Sequence, residues 1–168
     1  MGRLTLLFYA STLFFFCCSN SDTPIGDENQ QIGDTIVESN GTGVVSVTEV
    51  AIQGNENHYS FNVTLSSDDT GCQQYADWWE VVDLEGHLRY RRVLAHSHVN
   101  EQPFTRSGAP IAITANTEVY VRAHMNNSGY GTKAMKGTVA DGFEPFNLSK
   151  DFAADLETVQ PLPENCTF

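Results

Sequence analysis

The sequence predicts an all-β domain built from about seven short strands. Two segments alternate without a break. Tyr59-Ser60-Phe61-Asn62-Val63-Thr64-Leu65 sets Tyr59, Phe61, Val63 and Leu65 on one face. The stretch from Thr117 to Met125 sets Val119, Val121, Ala123 and Met125 on one face and Tyr120, Arg122 and His124 on the other. Between such segments stand turn-forming clusters, among them Leu84-Glu85-Gly86-His87, a glycine-containing loop of hairpin length.

Taken in order, residues 19 to about 36 are polar, carry Pro24, Gly26 and Gly33, and show no apolar period, as a tether would. The first strand is expected over Val44–Ile52 and the second over Tyr59–Leu65, followed by a turn at Ser66–Gly71. Trp78–Asp83 and Leu88–Leu94 are the arms of the hairpin. Pro110–Thr114 is a short strand, Thr117–Met125 a longer one ended by Asn126-Asn127-Ser128-Gly129, and Lys133–Val139 the last. The segment Asn100–Gly108 between them reads as a long polar loop. Ser149 is placed to cap a short helix over Lys150–Glu157, after which Pro161 and Pro163 impose an extended tail to Cys166.

A Trp early in the third strand and the late strand Val119-Tyr120-Val121-Arg122-Ala123 resemble an immunoglobulin or fibronectin type III arrangement over residues 44–139. The resemblance implies a single immunoglobulin-like antiparallel β-sandwich with a short helix and an extended C-terminal tail, occupying residues 41–168. It carries no function, because sandwiches of this kind host unrelated activities.

The N-terminus says where the protein works. Met1-Gly2-Arg3 supplies one charge, Leu4–Phe16 is an uncharged run rich in Leu and Phe, and Cys17-Cys18 leads into polar Ser19-Asn20-Ser21. This is the layout of a secretory signal peptide. The run is shorter than the roughly 20 apolar residues of a membrane-spanning helix. With a cysteine at the exit, residues 1–17 resemble a bacterial lipoprotein signal. The resemblance implies that Cys18, or alternatively Cys17, is acylated. Residues 18–40 then tether the domain to an outer membrane or cell surface. An ordinary cleaved signal would instead give a secreted protein. Asn40, Asn62, Asn126, Asn147 and Asn165 each head an Asn-x-Ser/Thr triplet, so a secreted eukaryotic glycoprotein is a further alternative.

The net charge of -12 disfavours nucleic acid as a partner. From Asp22 to Glu85 there are 13 acidic residues and no Lys or Arg, whereas every basic residue after Arg3 lies between Arg89 and Lys150. Complementary charges on neighbouring strands account for this pattern better than a basic patch for an anionic ligand. Export places Cys72 and Cys166 in an oxidising compartment, where a single disulfide is the default. Free thiols are the alternative.

Three sets of residues are candidates for chemistry. His96 and His98 stand two apart on an extended segment, about 7 Å from each other on one face. With His124 from a neighbouring strand they would hold Cu or Zn; otherwise they are surface or hydrogen-bonding histidines. Trp78 and Trp79 must face opposite ways. One is then core, and the other either stacks a sugar ring or packs beneath the 99–110 segment. Glu101 and Arg106 lie in the polar segment that follows the histidines and are candidate ligand contacts. There is no Gly-x-Ser-x-Gly elbow, His-Glu-x-x-His or phosphate-cradling glycine loop. No catalytic residue is assigned. The leading expectation is a membrane-anchored binding or adaptor lipoprotein for an unknown extracellular protein or glycan, and a Cu- or Zn-binding protein is the alternative.

Overall fold

The computed structural model describes residues 44–167. The signal, the tether, and Cys17 and Cys18 lie outside the described residues. Nine strands follow in chain order: β1 (Val45–Asn55), β2 (His58–Ser67), β3 (Ala76–Asp83), β4 (Leu88–Val93), β5 (Phe104–Ile111), β6 (Val119–Met125), β7 (Gly129–Tyr130), β8 (Lys133–Thr138) and β9 (Gly142–Asn147). The all-β expectation holds, as do the hairpin of β3 and β4 and the adjacency of β3 and β6.

The sheet runs in the order β4-β3-β6-β8-β1-β2-β5, with β7 joined to β6 and β9 to β8. It is mixed rather than purely antiparallel. β1 meets β8 in parallel, through Ser46 opposite Lys133. Most of the domain separates these two strands in sequence, so no tight turn forces them to run in opposite directions. The sheet also curls until its outer strands, β4 and β5, nearly close a barrel. Gly108 of β5 permits this: a Cβ there would lie 2.4 Å from Tyr90 Cε1 on β4 and 2.6 Å from Trp79 Cη2 on β3.

The inner face is the core. Phe61 and Val63, and Val119 and Val121, from the apolar faces of the two alternating segments, are completely buried, together with Leu65, Trp79, Val81 and Met125. β3 is buried at every position. Its inner face packs in the core, and its outer face lies under the segment that follows β9.

Three local expectations are corrected. Residues 104–108, read as loop, begin β5, which pairs with β2 from Leu65↔Phe104 to Tyr59↔Ile111. As an outer strand bonded only to β2 in the sheet path, β5 tolerates Pro110, which has no N–H to donate. β9 was not anticipated, because Gly142, Glu144 and Pro145 conceal its alternation, yet it pairs with β8 from Lys133↔Asn147 to Thr138↔Gly142. The helix expected over Lys150–Glu157 is a five-residue 3₁₀ turn, Ala154–Thr158, entered through Ala153 in the left-handed region (φ 46°). Ser149 Oγ accepts from the Asp151 N–H instead of capping an α-helix.

Candidate functional site

The outer face of β4, β3 and β6 is built from residues two apart on each strand. Register sets Trp78 of β3 opposite His124 of β6, and Glu80 opposite Arg122 of β6 and Arg91 of β4. Apolar neighbours on the inner face fix the strands, so these polar side chains have to point outward. They do not reach solvent, because residues 149–166 lie across them.

Glu80 is the hub. Its carboxylate accepts from Arg122 Nε on one oxygen (2.8 Å) and from Arg91 Nε on the other (2.7 Å). All three side chains are completely buried. Both guanidiniums turn their remaining donors to the overlying segment. Arg91 donates to the carbonyls of Leu156 (2.7 Å) and Val159 (2.5 Å), and Arg122 to those of Ala153 (3.0 Å) and Phe152. The planar fork of arginine suits this double duty of carboxylate on one side and backbone on the other. Arg122 also lies over Tyr130 at 3.5 Å, and Arg91 over Trp78 at 4.5 Å.

Two more ties hold the segment down. Cys72 and Cys166 form a disulfide 94 residues apart in sequence. Thr167 donates its N–H to the Ala95 carbonyl at 2.7 Å.

Next to the arginine cluster is a cleft of about 390 Å³ between the sheet and the tail, walled by Tyr75, Trp78, Asp77, His124, Glu157 and Glu164. His124 stacks on Trp78 at 3.7 Å and 8°. Its Nδ1 donates to Asp77 Oδ1 at 2.7 Å, and its Nε2 lies 3.5 Å from Glu157 Oε1. Burial raises the Asp77 pKa above the usual carboxylate range, against the pull of the His124 hydrogen bond and charge. Three carboxylates and no Lys or Arg line the cleft, so it favours cations and hydrogen-bond donors.

The structure separates the histidines. His124 is taken up by Asp77 and Glu157, whereas His96 and His98 share a recess after β4 with ring centroids 4.5 Å apart. Among the described residues, the one set of three metal-type ligand atoms lying within 4.8 Å of one another is Asp83, Glu85 and His87. It belongs to the β3–β4 turn, where Arg89 already holds Asp83 Oδ2 at 2.6 Å.

Neither tryptophan is an exposed platform. Trp79 is fully buried in the core against Tyr90, and Trp78 is 4% exposed beneath the tail. They face opposite ways as expected, but the second face has its own cover. Glu101 and Arg106 pair with each other through two hydrogen bonds, at 3.1 and 2.7 Å.

The sequence sets Asp77 and Glu80 beside the tryptophans and Arg91 and Arg122 on basic strands, but it shows neither their convergence on one covered face nor the part played by Glu157. A charge between two apolar residues of a strand, as in Trp79-Glu80-Val81 and Val121-Arg122-Ala123, was the available signal. It marks an outward position but not what covers it.

Over 75 residues, 45% of the chain, the sequence is 47% identical to a protein of Halomicrobium mukohataei described as "Putative lipoprotein". The match spans 37% of that protein's length. No protein-family model and no solved structure matches the chain.

Proposed function

We propose that this chain is an exported, lipid-anchored binding protein, held to the outer side of a membrane through Cys18. Its ligand is a basic segment of an extracellular protein, seated in the cleft between β3, β6 and the tail. The anchor is supported by the signal-like residues 1–18 and by the likeness to a protein described as a lipoprotein.

The observation that carries the binding role is the cleft itself. Asp77, Glu157 and Glu164 give it carboxylates, His124 is held rigidly between two of them, and the disulfide fixes its rim. The strand order supports an immunoglobulin-like reading of the scaffold. β4-β3-β6-β8 and β1-β2-β5 follow the order of the two leaves of such a sandwich, bridged by the parallel β1–β8 contact.

The test has two arms. Intact-mass analysis should find the mature chain beginning at acylated Cys18, with Cys18→Ser lost from the detergent phase. A mature start at any residue other than Cys17 or Cys18 would remove the anchor from the proposal. In calorimetry on the full chain in detergent, a tetralysine peptide should bind, and Glu157→Gln should weaken it about tenfold, the equivalent of about 1.4 kcal/mol, at unchanged melting temperature. No binding of the peptide, or equal binding by the variant, would refute the cleft as its seat. Binding of a neutral oligosaccharide in its place would move the ligand class to glycans.

A further inference from the structure

The recess after β4 holds His96 and His98 with Ser97, Val99, Asn100 and Glu101, in a volume of about 240 Å³. The His98 side chain is 1% exposed, and neither of its ring nitrogens has a hydrogen-bond partner. Buried polar atoms are ordinarily satisfied, so a buried imidazole with both nitrogens free needs an explanation.

The ring is firmly held. It stacks on Phe104 at 3.7 Å and 10°, and the His98 backbone N–H donates to Asp69 Oδ2 at 2.7 Å. The same carboxylate oxygen lies 3.8 Å from His98 Nδ1, a small ring rotation away from a hydrogen bond. A carboxylate behind one nitrogen is how metal-ligating imidazoles are commonly oriented, leaving the other nitrogen for the ion. His96 is exposed and free to turn toward that nitrogen.

We propose that His96 and His98 are the protein ligands of a divalent copper ion, with Asp69 orienting His98 and Glu101 able to join as a third ligand. Two imidazoles with open positions suit Cu²⁺, which stands above Zn²⁺ in affinity for nitrogen sites and accepts a tetragonal set completed by water. A closed zinc site would need four protein ligands. Arg106 is the counterweight, since its guanidinium occupies Glu101 through both oxygens.

The experiment is titration of the full, oxidised chain in detergent with copper(II) chloride, followed by calorimetry and electron paramagnetic resonance. One ion should bind at micromolar concentration or below, with splitting from two nitrogens. His96→Ala and His98→Phe should each weaken it about tenfold or more and remove one nitrogen from the pattern. Phe keeps the stacking on Phe104, and His96 is exposed, so His96→Ala decides the matter even if His98→Phe fails to fold. Arg106→Ala should tighten binding by freeing Glu101. Binding only in the millimolar range, unchanged binding in His96→Ala, or loss of the ion in His87→Ala would each overturn the site.

Discussion

Replacing Glu80 with Gln is expected to destabilise the domain by about 3–5 kcal/mol, read as a fall in the denaturant midpoint at unchanged slope. Gln keeps the shape and one acceptor oxygen. It removes the negative charge that, among the described residues, is bonded to Arg91 and Arg122, whose side chains have no exposure to water. Two guanidiniums then share a buried site without a counter-ion. The surface Lys136–Glu118 pair, 3.0 Å apart, serves as the control, and breaking it should leave the midpoint almost unchanged. A loss in Glu80→Gln no larger than in that control would show the cluster to be solvated. A sharper version replaces Glu80, Arg91 and Arg122 together with apolar residues. Buried ion triads elsewhere often tolerate this without loss. Here it should not restore stability, because the carbonyls of Phe152, Ala153, Leu156 and Val159 lose their donors as well.

The second large effect is expected from Cys72→Ser with Cys166→Ser. Closing a loop of this length stabilises by roughly 4–5 kcal/mol if the entropy acts mainly on the unfolded chain. The loss should be uneven. Hydrogen exchange should rise first across residues 149–167, where the bond anchors the tail, while the amides of β2 and β6 remain protected until global unfolding. Uniform loss of protection at every residue would show that the bridge acts on the whole domain and not on the tail.

Both predictions concern a region of which the sequence shows only half. The hairpin and the alternating strands are legible because apolar residues at every second position leave one arrangement that buries them. The uneven charge is legible too. Acidic β3 against basic β4 was read as complementary strands, and Glu80 with Arg91 and Asp83 with Arg89 bear this out. The cover over the outer face is not legible, because backbone carbonyls accept most of the arginines' hydrogen bonds, and carbonyls carry no sequence signature. β5 was obscured for a related reason. Gly108 and the polar run Thr105-Arg106-Ser107 argue against a strand locally, and only the bulk of Trp79 and Tyr90 on distant strands explains the glycine. For the histidines, sequence gave the spacing of His96 and His98 but not the competition for His124, which depends on Asp77 and on Glu157 arriving from the tail.

The adjacent indoles follow from the same cover and report on different events. Trp79 lies in the core and changes its surroundings only when the whole domain unfolds. Trp78 lies stacked on the His124 ring beneath the tail, whose removal exposes the indole to water. Release of the tail alone should therefore red-shift one tryptophan while leaving the other silent. Steady fluorescence of the unlabelled protein thus distinguishes an undocked tail from an unfolded sheet, and Trp78→Phe identifies which signal is which.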